Sequence, residues 1–92
     1  MEEEVVRIPI NGVLDLHTFS PRDLKELIPD YLEECLNHNI FQVRIIHGKG
    51  KGVLRRTVHA ILVRLEMVES FHCAPENAGG WGATVVSLRR PA

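Results

Sequence analysis

The order of patterned segments predicts an α/β fold: a compact two-layer or three-layer sandwich, a mixed sheet with two main helices, in the order β-β-α-β-α-β-β. Three observations carry this expectation. Two segments place apolar residues at three-to-four spacing, the mark of a helix with one buried face. Short runs rich in β-branched residues stand before, between and after them. Clusters of Gly, Pro and Asn punctuate the joints. With 92 residues, 45% hydrophobic and 25% charged, the chain suits one domain over residues 1–92 with a single modest core.

The elements follow in order. "VVRIPI" (5–10) and "VLDLH" (13–17) are β-rich and flank Asn11-Gly12, a pair that tolerates the positive φ of a tight hairpin turn. Pro9 lacks an amide donor, so the first run is expected at a sheet edge. The second run is the better central strand, and the core stretch is expected over about 13–90. Ser20, Pro21 and Asp23 suit the start of a helix. Leu24, Leu27, Ile28, Tyr31, Leu32, Cys35 and Leu36 form its apolar stripe. Pro29 should kink it or split off its first turn, and Asn37-His38-Asn39 should end it. "FQVRII" (41–46) reads as a buried strand. Leu54, Val58, Ile61, Leu62 and Leu65 mark a second helix. "MVESFHC" (67–73) and "ATVVSLRR" (83–90) are strands joined by a loop.

Composition narrows the function classes. No segment approaches the ~20 apolar residues of a membrane span, and "MEEEVV" lacks the apolar core of a signal peptide, so a cytoplasmic location is expected. Cys35 and Cys73 lack metal-type spacing and read as buried free thiols. The net charge of −1 hides an uneven distribution. From Asn37 to Leu65 there is no acid, while Arg44, Lys49, Lys51, Arg55, Arg56 and Arg64 accompany His38, His47 and His59. Such a patch attracts phosphate-bearing partners; the bland alternative is a solvated helix face.

The strand–helix–strand unit from Val13 to Ile46 should form a parallel pair. That brings His17 and His47, thirty residues apart, to one sheet rim, where ligand sites of open α/β sheets gather. Asp15 stands two residues before His17, on the same side of the strand, and can orient its ring. A structural Asp and a polar strand end are the plainer readings. His38, His59 and His72 lack such partners and read as surface or helix-end residues. In "HGKGKG" (47–52), Gly48, Gly50 and Gly52 let backbone amides approach a ligand, and Lys49 and Lys51 add charge. A flexible turn is the alternative. The order is neither a Walker A loop nor a dinucleotide fingerprint, so no nucleotide cofactor is expected. In "NAGGWG", Gly79, Gly80 and Gly82 permit close approach, and Trp81 either stacks on a base or plugs the core edge.

"LDLH", "HGKGKG" and "GGWGAT" stand in the order and spacing of the small MutS-related (Smr) domain family, which the chain resembles over about Val13–Leu88. The family's usual glycine after the first motif is Thr18 here. The resemblance implies a fold like the C-terminal domain of translation initiation factor 3. It also implies nucleic-acid binding, with endonuclease activity on DNA or RNA in many members. Carried over by motif, the functional positions are Asp15 and His17; His47, Gly48, Lys49 and Gly50; and Gly80, Gly82 and Thr84. The chain begins with Met1, and a standalone domain is expected.

The reading that follows is a phosphodiester-cleaving domain. His17 and His47 serve as acid and base, Asp15 orients His17, and Lys49 with the loop amides neutralises the phosphate. Lys51, Gly52, Arg55, Arg56 and Trp81 extend the nucleic-acid surface. No acidic cluster suggests a two-metal site, so no cofactor is required, although a divalent ion is compatible. The alternatives are a binding module without catalysis, a metal site of Asp15, His17 and His47, and a purely structural interaction domain. The last leaves the acid-free basic stretch unexplained.

Overall fold

In a computed structural model of the protein, residues 8–50, 52–78 and 80–91 are described. Four strands and two helices alternate: β1 (Val13–Asp15), α1 (Leu24–Asn37), β2 (Gln42–Ile46), α2 (Val53–Leu62), β3 (Val68–Cys73) and β4 (Ala83–Leu88). They form one sheet in the order β1-β2-β4-β3. β1 lies parallel to β2, with Leu14 opposite Ile45. β4 runs antiparallel to both β2 and β3. The carboxyl ends of β1, β2 and β3 and the start of β4 therefore share one rim.

Sheet alternation decides the layers. Leu14, Val43, Ile45, Val86 and Leu88 are buried, and they join Leu24, Ile28, Leu32 and Cys35 of α1 and Val58 and Leu62 of α2 in the main core. Both helices thus cover the same face, giving two layers. On the other face, Ala74, Ala83 and Val85 form a small cluster with Ile46 packed against it; Val13 and His72 are exposed there.

Several expectations are corrected. Ile8–Ile10 form no strand, and the rest of the anticipated edge strand, Val5–Arg7, lies outside the described residues. Asn11 and Gly12 do not build a hairpin. The Asn11 side-chain oxygen instead accepts from the Val13 amide at 3.0 Å. The Tyr31 hydroxyl on α1 accepts from the Gly12 amide at 3.1 Å and lies 3.2 Å from the Val13 carbonyl. A local side-chain turn has displaced the strand pairing. Among the described residues β1 is consequently an edge strand, not a central one.

Pro29 does not divide α1, which runs from Leu24 to Asn37 through it. The preceding separate turn is a 3-10 turn at Pro21–Asp23, and Ser20 makes no side-chain cap bond. Cys35 is buried as expected, but Cys73 is exposed at the end of β3, the other sheet edge; both thiols are free. Among the described residues no helix is long and apolar enough to cross a membrane.

Candidate nucleic-acid interface

The rim gathers three of the sequence motifs. Leu14 and Leu16 are buried in the helix-side core, so Asp15 and His17 project to the other side and into solvent. The His17 ring Nδ1 lies 2.9 Å from the Asp15 carboxylate, and the His17 amide donates to the same oxygen at 3.0 Å. These bonds hold the Asp15 carboxyl below its ordinary value, the ring bond being the larger cause. The carboxylate is thus the acceptor and Nδ1 carries the proton. The side chains of His17 and Asp15 are 77% and 49% exposed. The turn that follows is closed by the Phe19 amide on the Leu16 carbonyl at 2.9 Å. Among described non-glycine residues only Asn39 has positive φ, so Thr18 occupies a conformation that needs no glycine.

His47 faces the helix layer instead. It is 6% exposed, and its ring bridges two groups: Nδ1 lies 3.1 Å from the Gly48 carbonyl and Nε2 lies 2.9 Å from the Thr84 hydroxyl. His59 of α2 reaches the same hydroxyl through its own Nε2, also at 2.9 Å. The bonding capacities fix the direction of this chain. A carbonyl only accepts, so His47 Nδ1 carries a proton. Burial, with the nearby Arg55 charge, lowers the His47 pKa against the opposing Gly48 bond, so the ring is neutral and Nε2 accepts. Thr84 then donates to His47 and accepts from His59. Burial first, then His47 and Arg55, lower the His59 pKa as well. The result is a one-way relay, His59 to Thr84 to His47 to Gly48, tying α2 and β4 to the glycine loop.

The two loops are also joined through their backbones. The Gly82 carbonyl accepts from the amides of both His47 and Gly48, each at 2.9 Å. Those two amides are therefore committed to structure rather than to a ligand. A Cβ on Gly82 would stand 3.4 Å from Cγ of Lys49 and 3.5 Å from the Gly48 carbonyl carbon, which places the Lys49 stem beside the second loop. Gly80 is buried, with φ +53, and its amide bonds the Pro75 carbonyl.

Positive charge converges beside this junction. Gly48, Lys49 and Gly50 are exposed at the loop. Gly52 caps α2 with φ +81 and no side-chain bond. A Cβ at Gly52 would lie 3.6 Å from a guanidinium nitrogen of Arg55 and 3.6 Å from one of Arg56. Two cations thus overhang the positive end of a helix whose first turn holds no acid. The macrodipole opposes that arrangement, and an anion would relieve it. The Arg55 guanidinium also stacks over the Trp81 ring, 4.5 Å from its centroid. Trp81 is 58% exposed and plugs no core edge. Lys51 lies outside the described residues.

The structure therefore unites His47, Thr84, Gly82, Lys49, Arg55 and Trp81 on the helix side of the rim and leaves Asp15 with His17 on the other. His17 and His47 do not form the expected acid–base pair: the strands turn them to opposite faces, and both nitrogens of His47 are already engaged. Nor, among the described residues, do any three His, Cys, Asp or Glu side chains form a metal-holding group, Asp15, His17 and His47 included. His59 is the residue that sequence reasoning missed. Its position four after Arg55 on the patch-bearing helix was the available signal. His38 bonds the Glu34 carbonyl, and His72 is an exposed strand residue. An open groove of about 600 Å³ between α1 and α2, lined by Lys25, Pro29, Ile61 and Arg64 among others, holds none of the rim residues.

A family model described as the Smr domain matches residues 14–89. The Endonuclease MutS2 of Streptococcus sanguinis (strain SK36) is 44% identical over 83% of this chain. That of Streptococcus gordonii is 38% identical over 96% of it. The chain spans only 10% and 13% of those relatives. Among solved structures, the Smr domain of Thermus thermophilus MutS2 superposes with a TM-score of 0.80 at 37% identity, covering 86% of this chain and 99% of that one. YdaL, a stand-alone small MutS-related protein from Escherichia coli, gives 0.76 at 26% identity, over 86% of this chain and 65% of its own. The mixed four-strand sheet with its two helices matches those Smr domain structures, and the chain belongs to the Smr domain family.

Proposed function

We propose that the domain binds the phosphodiester backbone of nucleic acid at this rim and cleaves it as an endonuclease. The observation that carries the reading is the pair of guanidinium groups, Arg55 and Arg56, held over the unacidified N-terminus of α2 beside Lys49 on its glycine loop. A phosphate satisfies all of these charges at once. The relatives named as endonucleases support cleavage as well as binding.

The residues divide the work. Lys49, Arg55 and Arg56 with the N-terminus of α2 hold a backbone phosphate on the helix side of the rim. Gly50, Lys51 and Gly52 belong to the same loop, and Gly80, Trp81 and Gly82 to the wall facing it. His47 and Thr84 act as positioning residues that fix the loop. On the other face of the rim, Asp15 holds the proton on Nδ1 of His17, so that Nε2 can take a proton from the nucleophile, a water or a ribose 2′-hydroxyl, at a further phosphate of a strand that crosses the rim. The nucleophile's oxygen bonds phosphorus, the bond to the leaving oxygen breaks, and that oxygen takes a proton from solvent water as it departs.

Nicking of supercoiled plasmid and cleavage of structured RNA, each with and without EDTA, test the reading. His17→Ala should cut about 10²- to 10⁴-fold more slowly while binding persists. Lys49→Ala should weaken binding and flatten its salt dependence. Wild-type cutting rates in His17→Ala would refute the assigned base. Salt-dependent binding without turnover under any condition would leave a non-catalytic binding module.

A further inference from the structure

Trp81 is the chain's single tryptophan. It stands at a loop tip, 58% exposed, where an apolar ring in water has no structural duty to the core. One contact the ring does make is with a cation: Arg55 lies over it at 4.5 Å. The same Arg55 overhangs the N-terminus of α2. A Cβ added at the adjoining residue, Gly82, would stand 3.4 Å from the stem of Lys49. The indole thus stands immediately beside the phosphate-binding charges, and its orientation is held by one of them.

From this we infer that Trp81 and Arg55 form a base-binding subsite, taking one unpaired nucleobase while its neighbouring phosphate occupies the Lys49 loop. This rests on the phosphate-binding reading above and deepens it by naming the substrate class. An indole and a guanidinium plane are the two groups on which bases stack irrespective of sequence. A base inside a duplex has both faces covered by its neighbours and its edge paired, so it cannot reach a loop tip without unstacking. The subsite therefore selects single strands, gaps or flaps over continuous duplex, without choosing among the bases.

The test uses the full chain and three probes of equal length: a single-stranded oligonucleotide, its blunt duplex, and a single strand carrying abasic positions at its centre. Binding is followed through the lone indole, whose emission a stacked base quenches, and by anisotropy of a labelled strand for variants lacking it. The single strand should quench Trp81 and the other two probes should not. Trp81→Ala should weaken single-strand binding about 5- to 150-fold, the range of base–aromatic stacking, and leave the duplex and abasic probes unchanged. Trp81→Phe should recover most of the loss. If Trp81→Ala binds the single strand as wild type does while Lys49→Ala does not, the subsite is refuted and the phosphate reading stands. If no probe binds wild type, both fall. A thermal melt of Trp81→Ala matching wild type establishes that the fold is intact.

Discussion

Replacing Thr84 by valine removes one hydroxyl and keeps the side chain's shape. The structure gives the consequence a size. Thr84 is wholly buried, and its hydroxyl completes two hydrogen bonds of 2.9 Å, to His47 and from His59. His47 is 6% exposed, so water cannot replace the lost donor, and an unsatisfied buried group costs about 1–3 kcal/mol. His59 is half-buried and partly rehydrates, so its lost bond is nearer the net value of about 1 kcal/mol. The expected destabilisation is about 2–4 kcal/mol. For a chain of this length each kcal/mol moves Tm by roughly 4–8 °C, so Tm should fall by about 8–32 °C. Thermal melts and urea titrations at pH 7.5 measure it. Thr84→Ser keeps the hydroxyl and loses only a methyl, so it should cost about 1 kcal/mol. A double-mutant cycle with His59→Leu should return a coupling of at least ~0.5 kcal/mol. A Thr84→Val protein melting within a degree or two of wild type would show that the relay holds nothing together.

Stability should also fall as the medium is acidified from neutral pH. Burial lowers the folded-state pKa values of His47 and His59 below 6.5. Above that value neither state is protonated and stability is complete; below it the unfolded chain takes up protons that the native rings resist, and stability declines toward the folded-state values. Urea midpoints at pH 7.5, 6.5 and 5.5 should decrease in that order, and His47→Gln should flatten the series; a flat wild-type series would contradict the buried neutral relay. Gly52→Ala places a Cβ at φ +81, a conformation that costs an L-residue about 1–2 kcal/mol, so its urea midpoint should drop; an unchanged midpoint would show that α2 starts elsewhere.

Periodicity carried most of the fold. The stripes at Leu24–Leu36 and Leu54–Leu65 became α1 and α2, and the parallel reading of Val13–Ile46 placed two motifs at one rim. What failed was local. Asn11-Gly12 signalled a hairpin, but the signal cannot reveal that Tyr31, about twenty residues on, will take the Gly12 amide. At the site, "HGKGKG" and "GGWGAT" marked the two loops, yet nothing in either shows that the Gly82 carbonyl would claim two amides of the other. The face of His47 was not legible either. Alternation along one strand is readable, whereas the side on which a residue just past the strand end turns depends on its partner, Thr84, on a different strand. His59 escaped for the same reason: its significance lies entirely in a contact across 25 residues.

The division of the rim by the sheet has an evolutionary consequence. His17 touches Asp15 and solvent, whereas His47 is built into three elements. A substitution at the first disturbs no buried packing; a substitution at the second loosens the loop proposed to bind phosphate. On the proposed reading, cleavage is therefore the trait this architecture lets a lineage discard cheaply, and grip is the trait it retains. Descendants of a cutting ancestor should be found holding nucleic acid long after the exposed pair has drifted.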